Sequence, residues 1–426
     1  MDPPPSPSRQ RRTAVGIASI LFLVTLAAYI ARVNVSVALP FIGADYGWSS
    51  AEEGVYGGLL LGIFLVGYGV SNIFISPLVD YFGPRRSMLV AVVVFSLLTF
   101  LTGFVGMIFL ALISTRLLLG LSQGIIYPSA SKVTQAWFGP KDRSKVNSLH
   151  LSSMYVSNLL VPLLLIPLIM RTDWQVAFYA VAFVSILTLI PLWIYLRDKP
   201  SGNPEPTERK PLKEVIGQAK ADFKEALHIK GLFVLTAADA AGSLVFWGIS
   251  LWLPTYLIQA KGFNLETVAL AASLPYVGGL AGLYLGSLIS DRTGRRVLTT
   301  SIFGLAASVF ILLLIGTQDQ GLVIFYLGLV FFFIGILPPN AFTLLQGICP
   351  TDKVGTATGI MNGLAVGLGV LGPMILGLAV ASTGSYDSGL VLLAVMEVLS
   401  ACILLFFLRY EKMSARRPPS NSKDLR

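Results

Sequence analysis

Four ionisable residues sit inside otherwise apolar stretches of this chain: Arg32, Arg116, Asp239 and Glu397. A charge at the centre of a bilayer-spanning helix costs about 2.5–3.5 kcal/mol on insertion scales, so each needs a partner or a use. Arg32 lies in Y-I-A-R-V-N-V-S-V-A-L-P, residues 29–40, with Tyr29 one turn before it on the same helix face. Arg116 lies in T-R-L-L-L-G-L-S-Q-G-I-I-Y-P, residues 115–128, with Gln123 two turns later on the same face. Neither arginine has an acid in its own segment. An anion would neutralise them, and a planar guanidinium fork suits a carboxylate or a phosphate. The alternative is a pair of structural salt bridges to Asp239 and Glu397. Asp239, in A-A-D-A-A, is a candidate carrier of a coupling proton; a fixed arginine partner or a position near water is its alternative. Glu397 is a second proton-coupling candidate, with a structural role at the lipid edge as the stronger reading. His150 reads as an interfacial histidine.

The elements that must hold these groups are membrane helices. The chain has 426 residues, 54% hydrophobic and 12% charged, against about 25% charged in soluble domains. Segments with few or no charges run approximately over 14–42, 55–79, 86–106, 107–131, 146–169, 174–196, 231–258, 267–290, 297–316, 321–349, 354–382 and 386–408. Each is near the 20 residues that span a bilayer as a helix, and the alternating segments of a membrane β-barrel are not seen. The expected fold is an all-α membrane protein of twelve transmembrane helices in two pseudo-symmetric six-helix bundles. The expected divisions are a tail (1–12), a first bundle (13–196), a linker (197–230), a second bundle (231–409) and a tail (410–426). Cys349 and Cys402 lie in apolar segments and the only histidines are His150 and His228, so no disulfide, metal or cofactor is expected. The first apolar run is too long for a cleavable signal.

The net charge of +9 does not point to nucleic acid, because of where it lies. Apart from Arg32, Arg116, Arg171 and Lys261, all 31 Lys and Arg fall in the tails and the loops after even-numbered segments. The opposite loops hold Asp45, Glu52, Glu53, Asp173, Glu266, Asp319 and Asp387. By the positive-inside rule both termini are expected to be cytoplasmic. In the linker, Leu212, Val215, Ile216, Ala219, Phe223 and Leu227 recur at helical spacing, which predicts a surface helix under the two bundles. A calmodulin-type target is the minor alternative.

An internal repeat divides the chain. S-P-L-V-D-Y-F-G-P-R-R (76–86) and G-S-L-I-S-D-R-T-G-R-R (286–296) each follow the second apolar segment of a half. Asp80, Arg85 and Arg86 in the first copy correspond to Asp291, Arg295 and Arg296 in the second, which also holds Gly286, Arg292 and Gly294. Two such halves are the mark of a transporter. The loops are expected to be charged latches to neighbouring helix ends, rather than merely basic turns. Tyr68, Asn72, Tyr155, Asn158, Trp247, Tyr256, Asn340, Gln346 and Asn362 fall within helices and fill in a polar cavity, although small polar side chains also join helices. The glycine-rich segment 359–377 predicts close packing and a flexible element.

The second loop carries D-R-x-G-R-R, and on this and the halved plan the chain resembles the major facilitator superfamily. It is most similar to the anion:cation symporters, through Arg32-Val33-Asn34, Gly67-Tyr68, Arg116 with Leu119-Gly120, Gly124 to Pro128, and W-L-P-T-Y-L at 252–257. The resemblance implies that Arg32, Tyr68 and Arg116 face a carboxylate-bearing anion such as a sugar acid. Tyr29, Asn34, Gln123, Tyr155, Asn158, Trp247, Asn340 and Asn362 complete the expected substrate set. Two departures concern coupling: Ala31 and Gln123 stand where sugar-acid symporters carry acids, so Asp239 is the expected substitute. Organophosphate:phosphate antiporters share the first-segment pattern, Gln123-Gly124, Pro128 and P-T-Y-L at 254–257, but need a second arginine near Phe246. The expectation is thus a monomeric proton-coupled symporter of a small organic anion. It would work by alternating access in a plasma (inner) membrane, embedded in lipid and without nucleic acid. An antiporter or a non-transporting sensor on the same fold are the alternatives. A membrane enzyme lacks a nucleophile–base pair or metal ligands.

Overall fold

The computed structural model describes residues 7–75, 77–198, 211–350 and 353–409. Twelve helices in it are long and apolar enough to cross a membrane. They are α1 (Thr13–Tyr46), α2 (Ser50–Ile75), α3 (Pro84–Phe104), α4 (Phe109–Trp137), α5 (Val146–Ile169), α6 (Trp174–Tyr195), α7 (Leu232–Gln259), α8 (Leu265–Thr293), α9 (Arg296–Gly316), α10 (Gln320–Ile348), α11 (Val354–Thr383) and α12 (Asp387–Phe406). Helices are the form that satisfies every backbone group within one apolar segment, which lipid requires. Six precede the linker helix Leu212–Ala226 and six follow it. One end of the bundle carries α1's start and α12's finish, here the terminal end; the other is the far end.

The repeat extends from sequence into backbone. A π-helical turn begins nine residues before the loop aspartate in each half, at Ser71 before Asp80 and at Gly282 before Asp291. Gly67 and Gly278 both stand thirteen residues before that aspartate, and both permit a helix crossing. A Cβ on Gly67 would lie 2.2 Å from the Leu117 carbonyl of α4, and one on Gly278 would lie 2.1 Å from the Gly328 carbonyl of α10. Small residues let membrane helices approach backbone to backbone.

The halves meet mainly along two helix pairs, with α1 also touching α7. Between α2 and α11 the contact is lined by glycine throughout. A Cβ on Gly54 would lie 2.4 Å from the Gly377 carbonyl, and one on Gly69 would lie 2.6 Å from the Gly363 carbonyl. On the other side α5 packs on the far-end part of α8, Leu265–Ala281. Tyr155 of α5 lies flat against Gly279 of α8, where a Cβ would come within 2.3 Å of its ring.

Two prolines shape this far-end seam. Pro162 of α5 and Pro254 of α7 each stand four residues after a polar residue, Asn158 and Ser250. Each proline lacks the N–H that the earlier carbonyl would receive. Asn158, Pro162, Ser250, Pro254, Ser36 and Tyr276 line one small void between the halves. The linker helix forms over Leu212–Ala226 and touches both halves. Phe223 lies 6.4 Å from Phe74 of α2, while Asp222 and Glu225 pair with Lys353, just before α11, at 2.6 and 2.9 Å.

Candidate functional site

Arg32 sits in the middle of α1 and is 4% exposed. Its guanidinium carbon lies 4.4 Å from the Tyr29 ring centre, 4.3 Å from Tyr68, 4.8 Å from Phe64 and 5.6 Å from Trp247. Helical spacing makes the cage: Tyr29 is one turn before Arg32, and Phe64 and Tyr68 are one turn apart on α2. Trp247 comes from α7, so both halves contribute a wall. Four π faces offset part of the cost of burying a cation, at roughly 0.5–2 kcal/mol each. Arg32 has no carboxylate partner among the described residues, and its Nε has no hydrogen-bond partner. The cage therefore holds an uncompensated positive charge.

A clamp behind the cage fixes it. Arg116 of α4 is fully buried and donates to the backbone carbonyls of Ala31 and Arg32, at 3.1 and 2.6 Å. Gln123, two turns later on α4, donates to the Ala28 carbonyl at 2.9 Å. Its Oε1 faces the Arg32 guanidinium at 3.5 Å. Phe64 separates the two charges, with the Arg116 guanidinium 5.4 Å from its ring. The structure thus places Arg116 against the α1 backbone and Arg32 in the aromatic cage.

Asp239 lies on α7, half-buried, and no basic side chain pairs with it among the described residues. Asp239, Ser243 and Trp247 follow one another at four-residue spacing, which makes one stripe. Gly369 of α11 leaves room for that stripe, since a Cβ there would lie 2.9 Å from Trp247 and 3.1 Å from Ser243 Oγ. At 1.5 Å per residue, Asp239 stands about 12 Å toward the terminal end from Trp247. Glu397 is placed elsewhere, buried between α12 and α9, where Gly304 makes room for its carboxyl. No cage residue touches it, because α12 packs outside α7 and α9. His150 is fully buried with neither ring nitrogen partnered.

The remaining polar residues divide between the cage and the seams. Asn34, two residues after Arg32 on α1, is buried with both amide atoms unpartnered. Asn158 accepts from Ser250 at 3.1 Å, and Ser250 shares a 2.8 Å hydrogen bond with Tyr276. This chain joins α5 to α7 and α8 across the halves. Tyr155 packs edge-on to Phe246 on the same seam, with ring centres 6.0 Å apart. Asn362 donates to Asn72 at 3.2 Å and joins α11 to α2. Asn340 lies outside the cage and donates to Ser290 and Thr300 at 2.8 and 2.7 Å.

That bond network belongs to the second loop. Arg296 pairs with Asp291 and also reaches Asn340 at 3.4 Å, and Gly294 turns the chain with φ 66°. Gly286 packs against Ile336 of α10. In the first loop, Gly83 turns the chain with φ 83°. Arg85 donates its backbone N–H to Asp198 at 2.7 Å and its guanidinium to the Trp193 carbonyl at 2.5 Å. Each loop is thus tied to helices of its own half. Arg86, Arg292 and Arg295 are exposed, and the Asp80 side chain lies outside what the structure describes.

A far-end contact was not anticipated from the sequence. Glu53 of α2 accepts from Gln259 of α7 at 2.8 Å, and Gln259 in turn accepts from Tyr386 at 2.8 Å. In the sequence Glu53 reads only as one acid among the loop acids. Phe64, shared by both arginines, also gave no signal within its apolar run.

Comparison with known proteins supplies the context. The family model of the Major Facilitator Superfamily matches residues 21–373. A Cupriavidus necator protein described as a "Probable sulfoacetate transporter" is 28% identical over 398 residues, covering 89% of each chain. A hexuronate transporter of Bacillus subtilis is 24% identical over 405 residues, covering 91% of this chain and 93% of its own. Among solved structures, a bacterial homologue of the human lysosomal transporter Spinster, inward-facing and unoccupied, superposes with TM-score 0.69 at 17% identity. That match covers 98% of this chain and 100% of the other.

Proposed function

The chain belongs to the Major Facilitator Superfamily, and from that premise we propose that it is a proton-coupled symporter of a small carboxylate-bearing organic anion. It is a multi-pass membrane protein and a secondary transporter rather than an enzyme. The observation that carries the anion reading is the uncompensated guanidinium of Arg32, caged by aromatic rings from both halves. An anion seated there would neutralise a buried charge and touch both α1 and α7. Its binding energy would then favour closure of the halves around it. The named substrates of the relatives, sulfoacetate and a hexuronate, are organic anions, which supports the class.

One free guanidinium favours a carboxylate over a doubly charged phosphate ester. Both terminal nitrogens of Arg116 donate to α1 carbonyls, so a two-arginine phosphate clamp would need that fork to let go. In this reading Arg32 binds the anion, Tyr29, Tyr68, Asn34, Gln123 and Trp247 shape the cage, and Arg116 holds α1 in register. Asp239, on the stripe below Trp247, carries a coupling proton. The basic loops place the terminal end in the cytoplasm. The protein works as a monomer in the plasma membrane by alternating access between residues 13–196 and 231–409. The two basic loops act as latches that exchange partners as the halves rock.

Uptake into proteoliposomes tests this. Sugar acids, small carboxylates and glycerol phosphate would be offered with and without an inward proton gradient, and with or without internal phosphate. Gradient-driven carboxylate uptake, lost in Asp239→Asn, is the expected result. Glycerol phosphate uptake only against internal phosphate would replace symport with antiport. Binding without flux would make the protein a sensor.

A further inference from the structure

We propose that Glu53 is a proton-binding group of the far-end gate, protonated as that gate closes and deprotonated as it opens. The proposal rests on the transport reading above and deepens it, since no role has been given to this carboxyl. Glu53 is 9% exposed. Its Oε2 accepts from Gln259 across the seam between the halves, at 2.8 Å, while its Oε1 is buried with no partner. The carboxyl packs on Gly43 of α1, 3.5 Å from where a Cβ would stand, and the next residue, Gly54, abuts Gly377 of α11. The group therefore sits between α1 and α7, beside the α2–α11 contact, where parting of the halves would rehydrate it.

No cation faces it. From α7 come Gln259 and the Tyr256 hydroxyl, which is buried without a partner. Tyr386, at the start of α12, spends its hydroxyl on Gln259. Lys261 is turned away, donating to the Leu314 and Thr317 carbonyls at 2.8 and 2.7 Å. Asp387 lies beyond it, on the side of Lys261 and Tyr256. On α1, Asp45 accepts from Trp174 at 2.7 Å. Glu52, on Glu53's own helix, is exposed and accepts from Ser49 at 2.9 and 2.8 Å. From α11, Gly377 and Ala381 abut this turn at Gly54.

An ionised carboxylate in that enclosure holds one oxygen against apolar surface without a donor, which disfavours the closed state. A proton on Oε1 removes the charge and leaves Oε2 free to keep its bond from Gln259. Closure and proton uptake are then linked, each favouring the other. With the far end external, a proton taken from outside would favour the state that has enclosed the anion.

Two measurements on the purified full chain test this. The proton taken up as the gate closes returns to the far side as it opens, so Glu53 makes the gate sensitive to far-side pH and moves no net proton across the membrane. Glu53→Gln keeps an acceptor for Gln259 and mimics the protonated group. It is expected to retain anion exchange and to lose the severalfold change in exchange rate that the wild type shows as far-side pH is varied with the other side held constant. A wild-type response to far-side pH in Glu53→Gln would overturn the proposal. The second measurement needs no substrate. A single cysteine at Ser36, under the gate, is labelled from outside by a maleimide in a Cys349→Ala, Cys402→Ala background. Acidification lowers the reactive thiolate fraction equally in both proteins; beyond that common factor it is expected to slow labelling severalfold with Glu53 present and not in Glu53→Gln. Equal slowing in both overturns the proposal even if neither protein moves an anion, whereas absent exchange in the wild type sinks only the transport reading.

Discussion

The guanidinium of Arg116 donates a 2.6 Å hydrogen bond to the backbone carbonyl of Arg32, so one arginine fixes the position of the other. A charged donor bond of this kind contributes about 1.5–3 kcal/mol, and Arg116 makes a second one to Ala31. Arg116→Ala loses both and leaves a cavity in a fully buried site. We expect it to destabilise the protein by roughly 2–4 kcal/mol and to weaken anion binding by letting α1 shift. Arg116→Lys keeps the charge but cannot reach two carbonyls with a fork, so it rescues little. Thermal unfolding in detergent, followed by ligand binding, checks both effects.

Arg32 should behave in the opposite way. Its guanidinium bonds only weakly to Gln123 and otherwise faces aromatic rings. Removing a buried charge with no counter-ion relieves a desolvation cost, so Arg32→Ala should hold or raise the unfolding midpoint. Anion binding should fall at least about a hundredfold, the loss of roughly 2.7 kcal/mol from a charge-assisted pair. Normal transport by this variant would remove Arg32 from the site.

Much of this arrangement follows from spacing. Tyr29 and Arg32 share a face because they are three residues apart, and Arg116 and Gln123 both reach α1 because they are seven apart on one helix. The twelve apolar runs and the repeated Asp-Gly-Arg-Arg loops likewise expose the fold in the sequence itself, since lipid admits few alternatives to a helix. Partner choice was not legible. Asn340 and Asn362 look alike in sequence, yet one bonds Arg296 and the second loop and the other pairs with Asn72, a residue 290 positions away. Nor did the sequence distinguish Arg32 from Arg116. Both sit mid-segment without an acid, and only the crossing of α1 over α4 decides which one meets backbone. Pro162 and Pro254 were the overlooked signal, since each marks the polar residue one turn earlier as a seam.

Gly377 offers a test of the α2–α11 contact. A Cβ there would stand 2.0 Å from the Gly54 carbonyl, and backbone cannot give way as a side chain can. Gly377→Ala should therefore cost about 1–3 kcal/mol and hold the far-end gate ajar. Gly16→Ala is the control: nothing lies within 4 Å of its Cβ, and it sits inside α1. That change should leave stability level or raise it by about 0.5–1 kcal/mol. Unfolding midpoints of the two variants should move apart; equal midpoints would mean the seam tolerates a wider spacing.

The linker helix should respond to salt and pH through Lys353. Its hydrogen bond holds the Asp222 carboxyl below its usual range, and Asp222 and Glu225 together push the Lys353 ammonium above its own. The depressed carboxylate stabilises the docked helix above the ordinary aspartate pKa and loses that contribution as pH falls through its lowered value. The raised ammonium contributes below the ordinary lysine pKa and loses its share as pH rises through its elevated value. Docking should thus be level through neutral pH and fail only at the acid and alkaline extremes. Ion pairs this close to solvent are also partly screened by salt. Lys353→Ala should raise deuterium exchange across Leu212–Ala226 at neutral pH, while α1 to α6 stay protected. Molar salt should raise wild-type exchange toward the variant's. Unchanged exchange in Lys353→Ala would mean that Phe223 against Phe74 holds the helix without the ion pairs.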